Sequence, residues 1–110
     1  MLLYNLTTQE ESILSDLYYN EVHFSTEFND KSTTYFYKEL INWLSGEFDL
    51  YFQEQDNDSY KIYFPNGLIT VHIKNNEDLS IISKNKMKLS CKKNMIEVLR
   101  SYNRFKIIKL

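Results

Sequence analysis

The chain contains no alanine, one proline, two glycines, one cysteine and only two arginines among its 110 residues. Each scarcity excludes something. A single cysteine, Cys91, rules out an internal disulfide, so the fold must rest on its core alone. Such sparing use of cysteine predicts a reducing compartment, the cytoplasm. No apolar run approaches the roughly 20 residues that span a bilayer. The opening MLLYNL is too short for a signal peptide and lacks its basic region. A soluble protein without a membrane partner is therefore expected. Without alanine, the core must be built from Phe, Tyr, Ile and Leu. The abundance of Asn, Lys, Ile and Tyr beside scarce Gly, Pro and Arg points to an AT-rich genome, such as that of a phage, a mobile element or a low-GC bacterium.

What is present is a single domain, residues 1–110, long enough to bury a core. Aromatics make up 15% of the chain, with nine tyrosines and seven phenylalanines. Tyrosine has an apolar body and a polar tip, which suits it to the margin of a core or to a contact surface. The formal charge of −2 hides an asymmetry. Residues 1–60 hold twelve Asp or Glu against two Lys (−10), and residues 61–110 hold eleven Lys or Arg against three Asp or Glu (+8). A chain divided in this way either folds its halves against each other or presents charged interaction surfaces.

Hydrophobic period gives a coarse architecture. Thr7 with Glu10 forms a capping box, and Ile13, Leu14, Leu17 and Tyr18 recur at helical spacing, predicting a helix from about Thr8 to Asn20. EVHFSTEFND reads as a loop or an irregular strand. A second helix, capped by Asp30 or Ser32, carries Phe36, Leu40, Trp43 and Leu44 on one stripe, with Tyr37 and Ile41 widening it. Gly46 is expected to end it in the left-handed conformation. The period then changes to two. Phe48, Leu50 and Phe52 fall on one strand face, against Asp49, Tyr51 and Gln53. YKIYF, LITVHIK and DLSIIS supply three further strands.

PNG, residues 65–67, sets the register of the central hairpin. A two-residue Asn66-Gly67 turn of type I′ pairs Phe64 with Ile69, Ile62 with Val71 and Tyr60 with Ile73, all apolar. Asn94 with Glu97 starts a C-terminal helix whose stripe is Met95, Val98, Leu99 and Tyr102. FKIIKL either continues that helix or forms a last strand. The expected fold is α+β: two N-terminal helices, a four-stranded antiparallel meander and a C-terminal helix, with the helices on one face of the sheet.

Chemistry-bearing residues are few. His23, His72 and Cys91 stand at no metal-ligand spacing from one another. Asp56-Asn57-Asp58 resembles the start of a calcium loop but lacks its glycine and terminal glutamate. Neither a metal nor another cofactor is expected, and no catalytic residue is assigned. LTTQEESILSDLY is similar to the first helix of winged-helix regulators. In such a domain the second helix reads DNA, but YFYKELINWLSGEF is aromatic and acidic where a reading helix carries polar and cationic side chains.

Two kinds of surface remain. Asp49, Tyr51 and Tyr63 on the outer sheet face, extended by Glu54, Asp56 and Asp58 in the adjacent turn, would dock on a protein partner with a basic surface. Clustered carboxylates steer toward a cationic cleft while rigid tyrosines supply contact area. The expected function is a non-enzymatic inhibitor occluding the basic groove of a nucleic-acid-handling enzyme. Anti-CRISPR proteins, other phage-encoded inhibitors and toxin-immunity proteins are of this general type. The alternative is a nucleic-acid-binding module using Lys84, Lys86, Lys88, Lys92, Lys93, Arg100 and Arg104 to neutralise phosphates. Opposite charge on two faces also permits a homodimer.

Overall fold

The structure, a computed structural model, describes residues 19–27, 33–74 and 78–109. Among them, five strands and two helices follow one another in the order β1 (Asn20–Glu27), α1 (Thr33–Glu47), β2 (Phe52–Gln55), β3 (Ser59–Phe64), β4 (Gly67–Lys74), β5 (Asp78–Asn85) and α2 (Lys88–Lys109). The strands form one antiparallel sheet in the order β1-β5-β4-β3-β2. The class is α+β, but the expected arrangement of two N-terminal helices before a four-stranded meander is overturned. One helix lies between strands, the other follows them, and a fifth strand precedes both. The helix expected from Thr8, with its likeness to winged-helix regulators, lies outside the described residues except at Tyr19 and Asn20. Asn20 already belongs to β1.

β1 occupies the stretch read as a loop or irregular strand. Its side chains alternate, with Val22 and Phe24 turned to the core and Glu21, His23 and Ser25 to the opposite face. Its partner is β5, more than fifty residues away along the chain, so no turn signal announces the pairing.

Both helices cover the same face of the sheet. From α1, Tyr37, Leu40, Ile41 and Leu44 are buried. From α2, Met95, Val98, Tyr102 and Phe105 recur at helical spacing and are also buried. They meet Tyr60, Ile62 and Phe64 of β3, Ile69 and Val71 of β4, and Leu79 and Ile81 of β5 in one cluster. A fully buried Leu or Ile contributes about 2 kcal/mol. Phe105 joins the two helices, packing against Phe36 at 5.1 Å and Trp43 at 6.1 Å between ring centroids. The tail beyond it is helical through Lys109. Among the described residues, no helix is long and apolar enough to cross a membrane.

Gly46 does not end α1. The helix continues to Glu47, the amide of Phe48 still bonds the carbonyl of Leu44 at 2.9 Å, and no described glycine has a positive φ. Phe48 is an apolar residue that the core can bury, and the helix carries it there.

The central hairpin takes a different register from the one expected. Phe64 pairs with Gly67, Ile62 with Ile69 and Tyr60 with Val71. The turn is Pro65-Asn66, with Asn66 at φ 65°. Proline fixes its own φ near −65°, so a type I′ turn cannot include it. Negative φ at Pro65 followed by positive φ at Asn66 is the type II order. The shift is two residues, so every side chain keeps its expected face. Gly67 is needed for a different reason. A Cβ there would lie 2.1 Å from the carbonyl oxygen of Lys84 and 2.6 Å from Asn85 Nδ2.

Asn85 explains that closeness. It is fully buried; its Nδ2 donates to the carbonyl of Pro65 at 3.0 Å and its Oδ1 accepts from the amide of Met87 at 2.9 Å. The amide of Lys86 bonds the carbonyl of Asn66, and Asn20 Nδ2 donates to the carbonyls of Asn85 and Lys86. Beside them, Ser83 Oγ donates to the carbonyl of Cys91 at 2.8 Å, and Cys91 Sγ donates to that of Ser83 at 3.2 Å. A polar knot thus closes this end of the inner sheet face and fixes where α2 begins.

Candidate acidic surface around β2

Residues 39–60 contain six Asp or Glu and no Lys or Arg. The structure turns much of that stretch into an exposed edge. After α1, the amide of Tyr51 bonds the carbonyl of Phe48 at 3.0 Å, closing a tight turn with Asp49 and Leu50 at its apex. Leu50 is 95% exposed. The chain then enters β2, a four-residue strand at the edge of the sheet.

The alternation of β2 is reversed from the expected one. Phe52 and Glu54 share the outer face with Tyr63 and Lys61, their register partners, while Gln53 points inward opposite Ile62. Gln53 holds the strand in that sense. Its Nε2 donates to the carbonyls of Ser45 and Phe48, and its Oε1 accepts from the Tyr60 hydroxyl at 2.7 Å. Phe52 is consequently 67% exposed, with its ring 5.3 Å from that of Tyr63. The expectation that Leu50 and Phe52 face the core does not hold.

The six residues assigned to a docking surface are brought to one edge but not to one face. Glu54 accepts from the Tyr63 hydroxyl at 2.9 Å on the outer face, a contact that raises the Tyr63 phenol above its ordinary range. Asp49 sits in the turn before β2. Asp56 and Asp58 lie in the β2–β3 turn, which the Asp56 amide closes on the Ser59 carbonyl at 2.8 Å. With Gln55 and Asn57 they line a shallow hollow. Tyr51 lies at this edge but not on the outer sheet face expected for it. Its ring packs at a tilt against Phe64 at 4.7 Å and Phe48 at 6.0 Å, at the core side of the edge, and the residue stays 38% exposed. Sequence reading missed Leu50 and Phe52 as surface residues. The available signal was cross-strand chemistry: Phe52 opposite Tyr63 and Glu54 opposite Lys61 form an aromatic pair and an opposite-charge pair.

The cationic residues lie mostly toward the other sheet edge. Lys84 bonds Glu21 at 3.1 Å on the outer face, and Arg104 bonds Glu47 at 2.7 Å between the helices. At these two places the acidic and basic halves neutralise each other. Lys86, Lys88, Lys92, Lys93 and Arg100 are exposed and make no ion pair among the described residues.

The remaining chemistry-bearing side chains are dispersed. His23 is exposed on β1 and bonded to Glu21 at 2.8 Å, while His72 lies on β4 with β5 between them. Burial, and then the charge of Lys74, hold the His72 imidazole below its ordinary value. Cys91 is buried beneath the inner face. Among the described residues, no three His, Cys, Asp or Glu gather where they could hold a metal ion. No family model matches this chain, and no curated protein matches it at a significant level.

Proposed function

We propose that this chain is a non-enzymatic protein-binding module whose acidic edge around β2 docks on a basic groove of a nucleic-acid-handling enzyme and occludes it. One observation carries the reading: Leu50 and Phe52 stand exposed between Asp49 and Glu54, in a stretch with no cation of its own. Exposed apolar side chains ringed by carboxylates supply both parts of a docking surface. The apolar groups give contact area and the carboxylates give orientation and speed of encounter. Tyr63 is held ready by Glu54, and Tyr51 by its two ring neighbours, so little side-chain freedom is lost on binding.

The test is a titration of candidate nucleases with this protein, read by residual activity and by gel filtration. A stoichiometric loss of activity with a co-eluting complex supports occlusion. Unchanged activity across the set, with no complex, counts against it.

A second reading, binding of nucleic acid through the basic residues, is favoured by Lys86, Lys88, Lys92, Lys93 and Arg100, exposed and without an ion pair among the described residues. It requires binding that weakens steeply as salt rises. Binding that ignores salt would contradict it.

A further inference from the structure

α2 buries one face and leaves the opposite ridge to solvent. On that ridge Leu89, Lys93, Ile96 and Arg100 follow at intervals of four, three and four residues, which places them in one stripe. Leu89 is 65% exposed and Ile96 47%, and Ile107 continues the line at 81%. Lys92 flanks the stripe, and the only acid of the helix is Glu97. Phosphate neutralisation would account for the cations but gives no role to three exposed aliphatic side chains. A protein surface with carboxylates around apolar groups accounts for both.

Such a surface exists on the same molecule. The β2 edge offers Leu50 and Phe52 as apolar groups with Glu54 and Asp56 beside them. Leu89 to Arg100 spans about 16 Å of helix, and Phe52 to Asp56 spans about 13 Å of extended chain, so the two are of comparable length. They cannot meet within one copy. α2 packs over β1, β5 and β4, and β2 is the strand at the far edge of the sheet.

We propose that copies of this chain associate head to tail, the Leu89–Lys93–Ile96–Arg100 ridge of one seating on the acidic β2 edge of the next. The contact joins two different surfaces, so a pair of copies still offers one free ridge and one free acidic edge. Assembly therefore continues past a dimer into a ring or a filament. The inference rests on the reading of the β2 edge as a protein-docking surface and adds this chain itself as an occupant. A copy held this way has its acidic edge covered, so self-association competes with capture of an external basic partner.

The experiment is sedimentation velocity on the full chain over a wide concentration range, at low and at high salt. Wild-type mass should rise past twice the 13.3 kDa of the monomer at low salt and fall back as salt is added. Glu54→Lys with Asp56→Lys in one variant, and Lys93→Glu with Arg100→Glu in a second, should each abolish association. Mixing the two variants should restore it, because each then meets a surface of opposite charge. Circular dichroism checks that both variants remain folded. A wild type that stays monomeric overturns the proposal, whether or not it binds phosphatidylserine vesicles or oligonucleotides. A dimer that grows no further, or association that survives either reversal, overturns it equally. The Lys93→Glu, Arg100→Glu variant keeps the acidic edge intact, so nuclease inhibition by it tests the docking reading separately from self-association.

Discussion

The side chain of Asn85 donates to the carbonyl of Pro65 at 3.0 Å, across the gap that Gly67 leaves open between β4 and β5. The same amide group accepts from Met87 at the entry to α2, so one buried residue fixes both a turn and a helix start. Replacing Asn85 with Ala should cost about 2 kcal/mol, the effect of leaving buried polar groups without their partner. Urea denaturation checks it; an unchanged midpoint would show that the knot does not stabilise the fold.

The two glycines should respond oppositely to alanine. At Gly67 the new methyl meets backbone at 2.1 Å, which cannot be relieved by moving a side chain. Gly67→Ala should therefore cost about 3 kcal/mol, at the upper end for overpacking. At Gly46 nothing lies within 4 Å and φ is not positive, so Gly46→Ala should stabilise α1 by about 0.5 kcal/mol. Thermal melts of the pair, run side by side, read both signs.

These residues also show how far the sequence was legible. β3 and β4 announce themselves by alternation, β5 less cleanly because Ile81 and Ile82 adjoin, and the core stripes of both helices do so by helical spacing. The hairpin register misleads because Asn-Gly is the strongest turn pair, whereas proline's fixed φ moves the turn back by one position. β1 is hidden because Ser25, Thr26 and Glu27 dilute its pattern and its partner is remote in sequence. The reversal of β2 depends on Gln53 reaching the end of α1, a contact between elements that no local period encodes. Charge separation was readable as a count, but the pairs Glu21–Lys84 and Glu47–Arg104 were not, since each joins residues more than fifty positions apart.

Alkaline pH should weaken the fold through its buried phenols. Burial, reinforced by the charge of Asp58, pushes Tyr37 up to about 12, and burial raises Tyr60 and Tyr102 as well. Between the ordinary tyrosine range and those raised values the unfolded chain gives up protons that the folded chain keeps. Stability is thus fully present below about pH 10 and falls as pH rises above it. The Tyr37→Phe variant gives up one hydrogen bond to the Val71 carbonyl but should lose less stability on going from neutral to alkaline pH than the wild type. Identical slopes would contradict this.

In acid the sign reverses. His23 and Lys84 hydrogen-bond the Glu21 carboxylate and hold it below its ordinary range. The stabilisation this gives is present at neutral pH and is lost as pH falls through the lowered value. His72, depressed by burial, adds an earlier loss, because the unfolded chain takes up a proton near pH 6.5 that the folded chain resists. Glu21→Gln should flatten the acid limb of a stability profile and leave the limb near pH 6 in place.

The exposed apolar residues of the β2 edge should matter for binding rather than folding. Leu50→Asn with Phe52→Asn should shift stability by about 0.5 kcal/mol or less, as exposed substitutions do, while weakening a nuclease complex at least tenfold. A large loss of stability would mean that these side chains serve the fold.

If the β2 edge is a docking surface, its carboxylates should hold the basic partner. The most direct measurement is calorimetric titration of an inhibited nuclease with the wild type and with Asp49→Lys, Glu54→Lys, Asp56→Lys and Asp58→Lys combined in one chain. Binding of the wild type should weaken as salt rises, and the reversed chain, folded by circular dichroism, should not bind. Equal affinity of the two proteins would contradict it.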